Sequence, residues 1–321
     1  ALALRPESYQ SHPIHQPGRI WAETNCYADV WIELLHGLGF EPAASLSFTF
    51  AIDFEGDQWT FFKCPHADLL ELYGLDVQEL AIWRPLAEHV DEQIGLGRPV
   101  LVEVDAWYLP DTAGTSYRQQ HWKTTIAIAE IDLPRRRMGY FHNQGYYGVE
   151  GGDFAALLRL QPDLDDRFLA PYVEFVKLPR QPLAPPTVEH GRRMLARSLR
   201  RAPPDNPFLR FKTRLSKDLD WLLQAELDDF HRYSFATLRQ YGACFELAQT
   251  FLQWLVARDE SGLEGAIADL GKISETAKAF QFQLARAMSR RRPLDLTPLD
   301  LMGERWERTL RGLQSRYGTS G

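Results

Sequence analysis

Residues 98–132 read RPVLVEVDAWYLPDTAGTSYRQQHWKTTIAIAEID, and this stretch decides the fold of the N-terminal half. RPVLVEVDAWYL (98–109) is a short run dense in Val and aromatics, the composition of a buried strand. PDTAGTSYRQQ (110–120) is a polar loop, and HWKTTIAIAEID (121–132) is a second strand. Downstream, PRRR is a turn and MGYFHNQGYY a third strand leading into a loop. GDFAALLRL opens a short helix, and PYVEFVKL is a further strand. Short strands with tight links between them give a mostly antiparallel sheet over 98–178.

Working outward toward the N-terminus, residues 26–38 carry Val30, Trp31, Leu34, Leu35 and Leu38 at helical spacing. Thr24 or Asn25 can cap this helix and Gly39 can end it. The aromatic stretches SFTFAIDF and QWTFF, within 48–62 and on either side of Glu55-Gly56-Asp57, predict a hairpin. HADLLELYG, VQELAIW and residues 85–95 predict helices, and residues 1–20 an irregular arm.

Toward the C-terminus, RQPLAPPTVEHG is a proline-rich linker at about 180–191, and beyond it the β signal disappears. The long helical patterns of 219–259, 263–291 and 302–317 predict a bundle of about four to six helices. The expected class is α+β: a sheet-containing domain over 1–185 followed by an all-α helical bundle over 186–321.

Composition narrows the function classes. With 45% hydrophobic and 25% charged residues among 321, the chain is that of a globular protein. No apolar run approaches the roughly 20 residues that span a bilayer, and no signal peptide is legible. Three cysteines, Cys26, Cys64 and Cys244, are an odd number at wide spacing, which is no disulfide framework, so a reducing cytoplasm is the expected compartment. Net charge is −7; residues 189–321 hold 22 Lys/Arg against 17 Asp/Glu, leaving 14 against 26 in 1–188. Neither half carries a nucleic-acid motif or a long basic run, so no nucleic-acid or membrane partner is expected.

The chemistry-bearing pattern is a thiol with an imidazole. A cysteine attacks as thiolate, and the unpaired N–H groups at a helix N-terminus favour that form. Cys26 opens a helix, His121 begins a strand, and His142-Asn143 end the next strand, where Asn143 can reach the far nitrogen of His121. His142 competes as base, but adjacent strand residues face opposite ways, which favours His121 when Asn143 faces the site. Cys64 and Cys244 read as packing. Asp105, Tyr108, Tyr146 and Tyr147 are candidate substrate-binding residues, with ordinary sheet aromatics as the alternative. No histidine grouping has metal-ligand spacing that points to zinc. Arg192-Arg193, Arg200-Arg201 and Arg290-Arg291-Arg292 are basic clusters that read as solvated faces, or as a surface for an acidic partner.

Three blocks, ETNCYADVWIELLHGLGFEPAASLSFTFAIDFEGDQWTFFKCPHADLLELYG, VEVDAWYLPDTAGTSYRQQHWKTTIAIAEID and GYFHNQGYYGVEGGDF, resemble a bacterial domain-of-unknown-function family. More distantly they resemble the N-terminal domain of the butirosin-biosynthesis acyltransferase BtrH. The resemblance covers roughly 20–180. It implies a papain-like cysteine fold that moves an aminoacyl group from a carrier-protein thioester to an amine, with Cys26 and His121 as the matching residues. Asn143 stands where the related domains carry an acidic residue. Papain-like enzymes often place a Gln before the cysteine to hold the oxyanion. IWAETN (20–25) has none, so Asn25, Thr24 or backbone N–H groups are the expected substitutes.

The expected activity is therefore acyl transfer through a Cys26 thioester, from an acyl or aminoacyl carrier protein to a small-molecule or peptide acceptor. No cofactor is expected beyond the phosphopantetheine arm of that carrier, and no metal. A cysteine hydrolase using the same residues, and a non-catalytic binding module with Cys26 as core, are the alternatives.

Overall fold

The computed structural model describes residues 2, 4–160, 169–181 and 183–318. Pro182 of the expected linker, and Ala1 and Gly321 at the outer limits of the expected domains, lie outside the described residues. The chain divides into two compact units, one of residues 1–17, 26–42 and 65–185, the other of 18–25, 43–64 and 186–321. Two N-terminal segments thus run with the helical unit.

In the first unit, six strands form one sheet in the order β1-β6-β2-β3-β4-β5, every neighbouring pair antiparallel. They are β1 (Asp76–Glu79), β2 (Val100–Asp105), β3 (Lys123–Asp132), β4 (Arg137–His142), β5 (Gly145–Glu150) and β6 (Val173–Lys177). The helices are α1 (Cys26–Gly37), α2 (His66–Tyr73), α3 (Leu86–Gly95) and α4 (Gly151–Leu157). Side chains alternate along β3. Ile126 and Ile128 enter an apolar core with Val100, Val102, Tyr140, Leu86 and Val90 of α3, and Phe154 of α4. The intervening residues, Thr125 and Ala127, belong to the opposite face, and α1 packs on β3 and β4.

Of VQELAIW (77–83), expected as helix, residues 77–79 enter the sheet in β1, where Val77 pairs opposite Val176 and is buried. The loop expected after the third strand is a tight turn into β5, with Asn143 at φ 45° in the left-handed region that Asn tolerates.

The second unit holds α5 (Val188–Leu199), α6 (Pro207–Leu222), α7 (Leu227–Ser234), a π-helical turn (Phe235–Arg239), α8 (Gln240–Val256), α9 (Glu264–Arg290) and α10 (Thr297–Tyr317). The hairpin expected over 48–62 is replaced by a 3-10 helix, Pro42–Ala51, and a single bridge between Phe54 and Trp59. Strand-forming aromatics usually line one face of a sheet; these are buried among helices instead. Trp59 is enclosed by Phe208, Phe211, Tyr241 and Phe245. Its backbone N–H donates to the Ala236 carbonyl of the π turn at 2.9 Å. Glu246 of α8 accepts the N–H groups of Ile20 and Trp21 and holds the 18–25 segment. No helix among the described residues is long and apolar enough to cross a membrane.

Within the first unit α1 buries two carboxylates, Asp29 and Glu33. The His15 ring, also buried, bridges them, with Nδ1 2.5 Å from Glu33 Oε1 and Nε2 3.2 Å from Asp29 Oδ1. Burial alone would lower the proton affinity of His15, but the hydrogen bonds and charges of Asp29 and Glu33 outweigh it and raise the pKa to about 9. A folded-state pKa above the unfolded value stabilises most below the unfolded pKa, near 6.5, and the effect is lost as pH rises through about 9. Urea-unfolding free energy should therefore fall between about pH 6.5 and 9, by up to about 3 kcal/mol. His15→Gln should lower stability at neutral pH and flatten that decline.

Candidate functional site

The candidate site lies on the α1-packed face of β3. α1 begins at Cys26, whose side chain is half-buried. Its Sγ lies 3.9 Å from Thr125 Oγ1, a hydroxyl that is 4% exposed. In the ladder Thr125 stands opposite Glu103, and Lys123 opposite Asp105. Alternation puts these four side chains on one face. Asp105 is thus displaced from the thiol's strand position by two residues, about 7 Å.

Asp105 is where the imidazole is held. His121 Nδ1 donates to Asp105 Oδ2 at 2.6 Å, while Oδ1 accepts the backbone N–H groups of Trp107 and Trp122 at 3.0 and 3.2 Å. The carboxylate is oriented by the backbone and in turn orients the ring. Trp107 stacks on His121 with centroids 4.5 Å apart and planes 8° from parallel. This fixes a side chain that is otherwise 67% exposed. Nδ1 is committed, and among the described residues nothing holds Nε2. The carboxylate–imidazole pair thus presents one basic nitrogen outward. Among the described residues no hydrogen bond joins the Cys26 thiol to His121.

Several sequence candidates go elsewhere. Asn143 occupies the β4–β5 turn, and the partner of His121 Nδ1 is Asp105, not Asn143. His142 points to the other face and is buried, with Nδ1 2.6 Å from Asp111 Oδ2 and Nε2 2.8 Å from Thr124 Oγ1. Both its nitrogens are used internally, and Tyr140 also donates to Asp111. Burial and the Asp111 charge push the Tyr140 hydroxyl far above its ordinary value. That closed network braces the loop carrying His121 and occupies both nitrogens of His142.

Tyr146 is 3% exposed and packs on Tyr9 and Phe141, so it fills the core and lines no cleft. Tyr147 packs against the apolar core on the α3 side. Tyr108 is half-buried, with the Arg118 guanidinium over its ring. Thr24 and Asn25 belong to the second unit and are buried there. The Asn25 amide donates to the Phe62 carbonyl at 3.0 Å, which commits the group expected to hold an oxyanion. Cys64 and Cys244 are buried; burial pushes the Cys244 thiol well above its ordinary value. Of the arginine clusters, Arg192 pairs with Glu260 and Glu189. Arg200-Arg201 and Arg290-Arg291-Arg292 are exposed.

The surroundings of the site are rich in carboxylates. Glu103 pairs with Lys123 at 2.9 Å. Glu174 of β6, buried, accepts the hydroxyls of Tyr27, the residue after Cys26, and of Tyr172. Burial, then Glu174, pushes the Tyr172 hydroxyl up to about 12. Among the described residues no three His, Cys, Asp or Glu side chains are grouped to hold a metal ion. Thr125 and Trp107 were not singled out by the sequence. Thr125 could have been found only through the β2–β3 register; Trp107 lies two residues after Asp105, where strand alternation gives way to a 3-10 turn.

No curated protein matches the chain. A family model described as the DUF1839 N-terminal domain matches residues 10–178, and one described as the DUF1839 C-terminal domain matches residues 186–315. The two matches take in most of the chain, which belongs to the DUF1839 family.

Proposed function

We propose that the protein is a cysteine-dependent acyltransferase of papain-like architecture, in which Cys26 is the nucleophile, His121 the base and Asp105 the group that orients it. The observation that carries this reading is a helix-opening thiol on the same sheet face as an Asp105–His121 pair with its outer nitrogen unpaired. Nucleophile, base and orienting carboxylate are the parts that thiol acyl transfer needs.

The chemistry runs in two halves. Cys26 gives its proton to His121 Nε2, and the thiolate attacks the carbonyl carbon of a thioester. The donor's C–S bond breaks, its thiol leaves with the proton from His121, and the acyl group stays on Cys26. An amine or hydroxyl then attacks the acyl carbon and gives its proton to His121, and the Cys26–acyl bond breaks, the leaving sulfur taking that proton back from His121. The first N–H groups of α1 have no intrahelical acceptor and would receive the oxyanion. His121 and Cys26 must approach in the complex with substrate, since catalytic hydrogen bonds often close only there.

An aminoacyl thioester on an acidic carrier protein is the proposed donor. The sequence resemblance supports it, as does the charge split between the halves of the chain. Arg200-Arg201 and Arg290-Arg291-Arg292 are the exposed basic groups available to steer such a partner. Arg192 is neutralised within the second unit.

Native protein should take up one equivalent of iodoacetamide, at Cys26, while Cys64 and Cys244, 4% and 0% exposed, react only after denaturation. Intact-mass measurement after exposure to an aminoacyl-pantetheine thioester should show an adduct that Cys26→Ser abolishes and Cys64→Ser retains. Persistence of the adduct in Cys26→Ser would remove the nucleophile assignment. Adding an amine should accelerate loss of the adduct and yield amide; release of free acid at an unchanged rate would identify a hydrolase. Asp105→Asn should slow single-turnover acylation by about 10²- to 10⁴-fold, as loss of an orienting carboxylate does elsewhere. A rate within twofold of wild type would exclude Asp105 from that role.

A further inference from the structure

The Cys26 thiol has one hydrogen-bond partner among the described residues, Thr125 Oγ1 at 3.9 Å. The relation is nearly exclusive from the other side as well. Thr125 is 4% exposed, its side chain lies on the face packed by α1, and among the described residues its hydroxyl bonds to nothing but Cys26 Sγ. Its neighbour Thr124, on the opposite face, is by contrast taken up by His142. A threonine in a strand has a restricted χ1, so the oxygen is held where the strand puts it, while the hydroxyl hydrogen turns freely.

We infer that Thr125 is a catalytic residue: its hydroxyl accepts the S–H bond of Cys26 in the resting protein and reverses to donate O–H to the sulfur when the thiolate forms. A hydroxyl carries both a donor and acceptors, so the reversal needs only rotation about the Cβ–Oγ bond. The Cys26 proton goes to His121, and no other bond is made or broken. The buried hydroxyl would otherwise lack an acceptor for its hydrogen, and an anionic sulfur is the stronger acceptor.

The charged groups around this sulfur belong to several elements. Asp29, in the first turn of α1, is paired with His15. Glu103 of β2 is paired with Lys123 of β3, and Asp105 with His121. Glu174 of β6 is bonded to Tyr27 and lies near His66 of α2. Each charge already has a partner, which leaves Thr125 as the neutral donor at the thiolate.

The inference rests on Cys26 being the reactive thiol, but not on the identity of the acyl donor, so its test uses alkylation. Iodoacetamide modification of Cys26 would be followed by mass spectrometry from pH 5 to pH 10 in wild type, Thr125→Val and Thr125→Ser. Thr125→Val keeps the shape and removes the hydroxyl. It should slow modification about tenfold at neutral pH, and the loss should shrink as pH rises, because a hydrogen bond to a charged group is being removed. Thr125→Ser should restore the wild-type profile. A Thr125→Val profile that overlays wild type would overturn the inference while leaving acyl transfer by Cys26 intact. If Thr125→Val exposes Cys64 and Cys244 to alkylation, Thr125→Ala replaces it and is read by the same two outcomes. Conversely, a displaced profile with no adduct from an aminoacyl thioester would sustain Thr125 and remove the proposed reaction.

Discussion

Glu33 sits inside α1 with no exposure, and the first unit is arranged around meeting its charge. An unpaired buried carboxylate costs several kcal/mol, so its partners must be supplied by chain that would otherwise be loose. The Tyr9 hydroxyl, the His12 N–H and the His15 ring supply them, with Asp29 as the second carboxylate on His15. The irregular arm thereby becomes part of the helix packing. Val30, Leu34 and Leu35 stay fully buried beside it. The consequence for the site is mechanical: Cys26 is the first residue of a helix held by ionic and apolar contacts together, so its sulfur has a defined place against Thr125.

The sheet separates two histidines that composition cannot tell apart. His142 lies on the face with Thr124 and the apolar core, where burial requires that both nitrogens find protein partners. His121 is exposed, with one nitrogen fixed by Asp105. One imidazole is thus enclosed by its partners, and the other keeps a nitrogen facing outward. The loop between β2 and β3 serves both: Asp111 anchors it to His142 and Tyr140, and its two ends bring Trp107 and His121 into a stack.

The second unit shows the same competition between local preference and burial. Aromatics that favour strands are drawn from residues 43–64 into a helical core around Trp59, and the backbone follows as a 3-10 helix with a single bridge. A π turn supplies the carbonyl that satisfies the backbone N–H of Trp59, a hydrogen bond with no regular secondary structure on the Trp59 side. Such turns trade helical regularity for a free acceptor, and here it holds an N-terminal segment to the helical unit.

The sequence by itself determined what depends on neighbours along the chain. Helical spacing after residue 26, Val- and Ile-rich strands on either side of a polar loop, and loss of β signal beyond the proline-rich linker gave the α+β class and the helical C-terminal region. They also put a thiol at a helix start and a histidine at a strand start. Tertiary structure alone decided what depends on pairing across the chain. The β2–β3 register brings Asp105, sixteen residues upstream, to His121, while Asn143 turns a hairpin; a one-residue shift would have reversed every face. Residues 77–79 of VQELAIW joined a strand because β6 offered them a partner, and residues 48–62 gave up a hairpin because helices offered their aromatics deeper burial. Local periodicity records which way a side chain points; what it meets there is set by strand register and by the burial of apolar surface, to which residues far apart in the chain contribute.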